Sequence, residues 1–201
     1  VYTGPMAVLV NRNSASASEI FAGAIQDYER GLIVGEPTYG KGTVQTLVNL
    51  GRYLKTSDDL GRLRLTMAQF FRVQGASTQH RGVTPDIVYP TAKGATEHGE
   101  RALDHAIAWA SIKPAIAKLP NKLSLSSIRE NNEKRIAKDP GFQYLMERES
   151  ELMRITDMES VSLNEAQRRT EREQREQRQL ESRNRLRKHR GLEPLKDLED
   201  E

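Results

Sequence analysis

The N-terminal part of the chain alternates apolar runs with polar turns. Ala7 to Val10 is a short apolar run typical of a buried strand, and Asn11 to Asn13 form a polar turn after it. From Ser18 onward, apolar residues recur at helical spacing and form one stripe that can pack on a sheet. This stripe contains Ile20, Phe21, Ala24, Ile25 and Tyr28. Leu32 to Gly35 predicts a second strand, and Glu36 to Gly42 predicts a loop. The pattern therefore indicates an α/β unit.

Two alternating segments follow and predict a pair of strands. They are Leu47 to Tyr53 and Leu63 to Val73, and a polar turn over Lys55 to Gly61 joins them. Within the second segment, apolar side chains alternate with Arg64 and Thr66, which predicts one buried face and one exposed face. The apolar positions are Leu63, Leu65 and Met67.

The next part of the chain predicts a turn and then a helix. In Gly82 to Ile87, GVTPDI, Pro85 restricts the backbone and Asp86 can accept hydrogen bonds from nearby amides. A helix is expected from about Glu100 to Ile112, on the evidence of one apolar stripe. Its members are Ala102, Leu103, Ala106, Ile107 and Ala110. Trp109 is the only tryptophan of the chain and is expected to anchor packing.

Polar, helix-forming sequence occupies the rest of the chain. One helix is predicted over Ser124 to Lys138, and a second begins at the capping pair Asp139 and Pro140 and runs to about Ile155. A capping box of Ser162 and Glu165 predicts the start of a third helix, which runs to Arg190 before Gly191. We therefore expect a mixed α/β (α+β) domain over residues 1–112 and an all-helical domain over residues 113–201.

Composition narrows the classes of function. Only 36% of the residues are hydrophobic and 29% are charged, and no apolar run is long enough to span a membrane. The net charge of +3 is mild, and the ten Lys or Arg of the last helix are interleaved with five Glu without aromatic residues. This favours a solvated or protein-binding helix over a nucleic-acid partner. The absence of cysteine excludes thiolate metal sites, and His80 has no second ligand at useful spacing. We expect no metal and no cofactor.

Ser16 and Lys41 are the candidates for chemistry. A serine at a strand-to-helix turn lies beside the first helix amides, which can stabilise an oxyanion. It needs a base, and the four histidines lie outside this unit, whereas Lys41 is the only lysine among the first fifty residues. A desolvated lysine amine can accept a hydroxyl proton.

Each of these residues also has a structural interpretation. Ser16 and Glu19 have the spacing of a capping box, in which Ser16 caps the helix. Lys41 alone is compatible with a solvated loop lysine. On spacing alone, both interpretations stay open.

The strings NSASASEIFAGAIQDY and GEPTYGKGTVQ resemble the active-site segment of the carboxyl-terminal processing proteases, the tail-specific serine peptidases of family S41. The resemblance is greatest to the large periplasmic Prc or Tsp type, and GVTPDI extends it. It implies that Ser16 is the nucleophile, that Lys41 is the general base and that Gln45 orients the lysine. It further implies that the amide of Ala17 is one oxyanion donor. Asp27 matches a family aspartate and is expected to give structural support.

The resemblance also implies what the surroundings of this segment do. The family's second oxyanion donor, its peptide-gripping PDZ domain and the first half of its protease core precede the matching segment, so we expect this chain to be a fragment. Implied partners are protein or peptide substrates with unstructured C-termini and an adaptor protein bound through the helical domain, and the implied location is the periplasm. Two hypotheses follow: a Ser/Lys endopeptidase, or a catalytically inert fragment of one that serves as a structural or adaptor-binding module.

Overall fold

The computed structural model describes residues 2–53, 59–90, 98–115 and 124–199. The chain separates into two compact units. The first contains Val1–Tyr89 with Glu97–Ser124, and the second contains Pro90–Thr96 with Leu125–Glu201. The predicted boundary near residue 112 stays a prediction, and residues 116–123 and the predicted Lys55 to Gly61 turn lie wholly or partly outside the described residues.

The first unit is built on a small parallel sheet. In chain order its elements are β1 (Ala7–Val10), α1 (Ala17–Asp27), β2 (Leu32–Gly35), β3 (Thr43–Asn49), β4 (Arg62–Gln69) and β5 (Ile87–Val88). The parallel sheet has the order β1-β2-β5, and α1 is the crossover between β1 and β2. The core joins the sheet to the helix, because Val10 and Ile33 are buried together with Ala22 of α1 and Val83. The predicted α/β unit is confirmed.

The turn before β5 ties the sheet to α1. The Asp86 carboxylate accepts a hydrogen bond from the Ile33 amide at 2.8 Å and from the Gln26 side chain at 2.9 Å. This is the amide-binding role predicted for Asp86. The motif continues into β5, whose residues pair with Val34 and Gly35 of β2.

An antiparallel hairpin of β3 and β4 forms a second sheet. Both strands end earlier than predicted, because Leu50–Arg52 form a short 3₁₀ turn capped by Asn49, and Phe71 bridges to Ser77. The predicted buried face is wrong within the described residues. Leu63, Leu65 and Met67 are 45%, 40% and 66% exposed, since no described layer packs over them.

The helix predicted over Glu100 to Ile112 is also wrong. Only Glu100–Ala102 form a single 3₁₀ turn. The backbone groups that a helix would pair internally bind the 75–79 loop instead: the Ser77 amide donates to Ala110 O, and the Ile112 amide donates to Gly75 O. Trp109 anchors this segment as predicted, because its indole N–H donates to Ser77 O at 3.0 Å and Arg81 stacks on its ring.

The second unit contains three helices, α2 (Leu125–Ile136), α3 (Pro140–Thr156) and α4 (Glu165–His189). Asp139 caps α3 as predicted, accepting from the amides of Gly141 and Phe142. At α4 the predicted Ser162 cap is wrong. Asn164 is the N-cap and its side chain accepts from the Gln167 amide, because the helix begins two residues later than Ser162 requires.

Polar contacts join α3 to α4. Glu147 accepts two hydrogen bonds from Arg185 at 2.6 and 2.7 Å, and it also contacts the Ser182 hydroxyl. Glu151 pairs with Arg154 and Arg178, and its hydrogen bond with Arg154 lowers the pKa of the Glu151 carboxyl. The described residues of α2, α3 and α4 include no buried side chain. None of the described helices has the length and apolar character needed to span a bilayer.

Candidate active site

Ser16 occupies a strained turn between β1 and α1. The chain leaves β1 at Val10, turns through Asn11 and Ser14, and reaches Ser16 with φ 56° and ψ −115°. Residues other than glycine rarely adopt this backbone conformation, and such strain costs on the order of 1–3 kcal/mol. Strained strand-to-helix turns of this kind present a nucleophile at the start of a helix. Ser16 is also the N-cap of α1 and shares a capping box with Glu19, so the structural interpretation is confirmed, and the role of Ser16 as nucleophile stays a prediction.

Ala17 is the first residue of α1. The first amides of a helix have no acceptor within the helix, and the helix dipole adds partial positive charge there. These properties are compatible with an oxyanion donor, and that role of the Ala17 amide stays a prediction.

Glu19 joins the serine turn to the lysine loop. Its side chain is fully buried, and Oε2 accepts from the Ser16 amide at 2.8 Å and from the Lys41 amide at 2.9 Å. Oε1 accepts from the Thr38 hydroxyl at 2.5 Å and from the Gly40 amide at 2.7 Å. One carboxylate therefore holds the backbones of Ser16 and Lys41 against each other, although they are far apart in sequence.

Two glycines allow the loop around Lys41 to lie against the 77–80 segment. Gly40 has φ 91°, and a Cβ atom there would lie 2.9 Å from the His80 carbonyl carbon. A Cβ atom on Gly42 would lie 2.7 Å from the Gln79 amide nitrogen. Because neither position has room for a side chain, the loop can pack closely on both sides of a half-buried Lys41.

Gln45 lies on β3, opposite Thr66 of β4. Its amide Nε2 donates to the Thr43 hydroxyl at 2.7 Å, so in this structure Thr43 is its hydrogen-bond partner. Both side chains line a cleft of about 380 Å³ between the hairpin and the 100–107 segment. The structure thus places Gln45 four residues beyond the lysine on a neighbouring strand, and its contact with the Lys41 amine stays a prediction.

Asp27 forms an ion pair that braces the end of α1. Its two carboxylate oxygens lie 3.1 and 3.0 Å from Arg72 Nε, and Asp27 is 8% exposed. The Arg72 guanidinium also donates to Gln26 Oε1 at 2.8 Å. This network connects α1 to the chain beyond β4, which is the kind of structural support expected of Asp27.

We expect Asp27→Ala to lower the free energy of unfolding by about 3 kcal/mol, because it leaves the Arg72 charge half-buried without its carboxylate. Urea unfolding measures the change. In a double-mutant cycle with Arg72→Met, the two losses should be strongly non-additive. Additive losses would contradict a direct contribution of the ion pair.

Among the described residues, no group of three or more His, Asp or Glu side chains could hold a metal ion. His80, for which the sequence offers no second ligand at useful spacing, contributes its backbone to the lysine loop. Its amide donates to Gly40 O at 2.8 Å from a left-handed conformation with φ 64°.

Sequence reasoning missed two residues of this region. The sequence predicts only a capping box for Glu19. That box is present, but the further bonds of Glu19 to Thr38, Gly40 and Lys41 depend on the tertiary fold. No local sequence signal distinguishes Gln79, yet its side chain is fully buried and accepts a hydrogen bond from the Gly42 amide of the lysine loop. The only local signal for Glu19 was its distance of three residues from Ser16.

Comparison with known proteins finds a family model for each part of the chain. Residues 1–89 match Peptidase family S41, and residues 94–201 match the C-terminal domain of tail specific protease. The chain is 41% identical to the tail-specific protease of Haemophilus influenzae over 99% of its own length and 30% of that protein. It is 50% identical to the carboxy-terminal-processing protease of Bartonella bacilliformis over 42% of its length and 18% of that protein.

Among solved structures, a photosystem II D1 C-terminal processing protease matches with 38% identity and a TM-score of 0.38, over 51% of this chain and 26% of that one. The chain spans less than a third of the length of each of these relatives. The match that covers more than half of the chain is to the C-terminal domain of tail specific protease. The chain therefore belongs to the family described as the C-terminal domain of tail specific protease, and its first 89 residues match Peptidase family S41.

Proposed function

We propose that this chain carries the catalytic dyad of a serine endopeptidase that processes or degrades proteins from their C-terminal tails. The single observation that supports it most is the buried Glu19 carboxylate, which holds the amides of Ser16 and Lys41 at 2.8 and 2.9 Å. A fully buried carboxylate is costly unless every oxygen is hydrogen-bonded, and here the donors come from the two loops that the reaction needs.

In the proposed reaction, the unprotonated amine of Lys41 accepts the proton of the Ser16 hydroxyl while Oγ attacks the peptide carbonyl carbon. The Ala17 amide donates to the resulting oxyanion. The C–N bond then breaks, and the Lys41 ammonium gives its proton to the leaving amine. This leaves an ester between Ser16 and the new C-terminus of the substrate.

Water completes the cycle. Lys41 takes a proton from the water molecule, the water oxygen attacks the ester carbonyl, and the Ser16 oxygen leaves and regains a proton from Lys41. Gln45 is assigned to orient the lysine amine, and Asp27 supports α1 through Arg72. No metal or cofactor takes part in these steps.

The proposed substrates are proteins or peptides with unstructured C-termini, and the proposed location is the periplasm, by likeness to the relatives. The helical unit is proposed to bind an adaptor protein. The apolar side chains that α3 leaves exposed support this assignment, among them Leu145, Met146 and Leu152, which are 40%, 52% and 40% exposed. The competing proposal is that this chain is a catalytically inert structural or adaptor-binding module.

A serine-directed phosphonofluoridate tests the dyad. The full-length protein is incubated with the reagent, and the labelled residue is identified by mass spectrometry. We expect the adduct on Ser16 and none on Ser14 or Ser18, because the Ser14 hydroxyl accepts from the Asn11 amide and the Ser18 hydroxyl donates to Ala15 O. An adduct on either neighbour contradicts the assignment, and a full-length protein that neither labels nor cleaves an unfolded peptide supports the inert alternative.

A further inference from the structure

Gln79 is a fully buried polar side chain to which the proposed chemistry assigns no role. Its Oε1 accepts from the Gly42 amide at 2.8 Å, which is the backbone group directly after Lys41. Its Nε2 donates to Ile107 O at 2.9 Å and lies 3.4 Å from Glu100 Oε1. The carboxamide therefore connects the lysine loop to the 100–107 segment.

The backbone of the lysine loop is held from two sides. On one side, Glu19 accepts from the amides of Gly40 and Lys41. On the other side, Gln79 accepts from the Gly42 amide, and the His80 amide donates to Gly40 O. Because consecutive peptide groups are fixed by opposite partners, the direction in which the Lys41 side chain leaves the backbone is fixed as well.

A carboxamide suits this position better than the alternatives. Glutamate has the same shape and could accept from Gly42, but it has no N–H for Ile107 O and would add a charge near Glu100. Methionine fills a similar volume but would leave the Gly42 amide and Ile107 O unpaired. Asparagine keeps the amide but is one methylene shorter.

We infer that Gln79 is a positioning residue for Lys41: its carboxamide fixes the backbone on the C-terminal side of the base and thereby sets the geometry of proton transfer. This inference rests on the proposed function. Because Gln79 is fully buried and is assigned no contact with substrate, losing its carboxamide changes kcat and leaves KM unchanged.

The test compares Gln79→Met, Gln79→Asn and Gln79→Glu in the full-length protein, with Gln74→Met as the control because Gln74 is an exposed glutamine of the same loop. Cleavage of an unfolded peptide gives kcat and KM. We expect kcat to fall at least about tenfold in the methionine and asparagine variants with KM within about threefold, and the control to match the wild type. If Gln79→Met does not fold, Gln79→Asn provides the same comparison.

The glutamate variant separates positioning from packing. It keeps the acceptor for Gly42, so positioning predicts a higher kcat for Gln79→Glu than for Gln79→Met. Packing alone predicts the opposite order, because the buried charge is the more destabilising change. Hydrogen exchange of the Gly42 amide provides a readout independent of activity and should accelerate in Gln79→Met.

Three results would overturn the inference: a kcat within about threefold of wild type in a folded methionine or asparagine variant, the reversed order of Glu and Met, or unchanged Gly42 exchange. Results that contradict the proposed function itself are distinguishable from these three. In that case the wild type does not cleave, or Ser16→Ala cleaves as well as the wild type, whatever the Gln79 variants do.

Discussion

A Lys41→Ala variant of the full-length protein is expected to cleave an unfolded peptide with an apolar C-terminus at least about 10³-fold more slowly than the wild type. General-base catalysis contributes about 10²–10⁴-fold, and a serine hydroxyl without a base is a weak nucleophile. The loss should appear in kcat/KM measured by chromatography of the products. Lys41→Arg should be equally impaired, because a guanidinium does not give up its proton.

The structure explains why the variant should still fold. The contacts that hold this loop are made by the backbone of Lys41 and its two glycine neighbours, and alanine keeps those groups. Lys113→Ala is the matched control, since Lys113 is an exposed lysine of the same unit. A Lys41→Ala variant that cleaves within about tenfold of that control would exclude Lys41 as the base.

Glu19→Ala is expected to lower the free energy of unfolding by at least about 4 kcal/mol and to abolish turnover. It removes the acceptor of four donors at once, and each buried donor left unpaired costs about 1–3 kcal/mol. The donors are the amides of Ser16, Gly40 and Lys41 and the hydroxyl of Thr38. Urea unfolding gives the stability change.

Glu19→Gln removes the charge and one of the two acceptor oxygens but keeps the volume of the side chain. Its carboxamide offers one acceptor oxygen and points an NH₂ group at donors, so two of the four contacts are lost at nearly constant size. Asp59→Asn is the control, because it removes a charge from an exposed carboxylate of the same unit. If Glu19→Gln were as stable and active as Asp59→Asn, the hydrogen bonds of Glu19 to the serine and lysine loops would contribute nothing to stability or activity.

Local patterns were sufficient where neighbouring residues decide the structure. The β1–α1–β2 unit follows from apolar spacing, and the Asp139 cap of α3 follows from its own side chain. The helix predicted over Glu100 to Ile112 does not form, because backbone groups of that segment hydrogen-bond to the 75–79 loop instead. No pattern within the segment itself indicates those long-range hydrogen bonds. Competition of this kind is tertiary, so spacing alone could not anticipate it.

The residues of the candidate site also fall into two groups, those that local sequence predicts and those that depend on the tertiary fold. Ser16 and Lys41 could be proposed from sequence because each stands at a recognisable turn or loop. The roles of Glu19 and Gln79 could not, since each depends on long-range hydrogen bonds formed only when the two loops meet. In the hairpin, alternation correctly predicts a strand with one apolar face. Burial of that face requires a layer that covers it, and the described residues supply none.

The role of Ser16 as nucleophile is tested by the turnover of Ser16→Ala, measured beside Ser18→Ala in the full-length protein. Both changes remove one hydroxyl from the same serine run, and the Ser18 hydroxyl donates to the nearby Ala15 carbonyl. We predict that Ser16→Ala loses at least about 10⁴-fold in kcat/KM while Ser18→Ala stays within about threefold of the wild type. Cleavage by a folded Ser16→Ala variant at the rate of the Ser18→Ala control would contradict it.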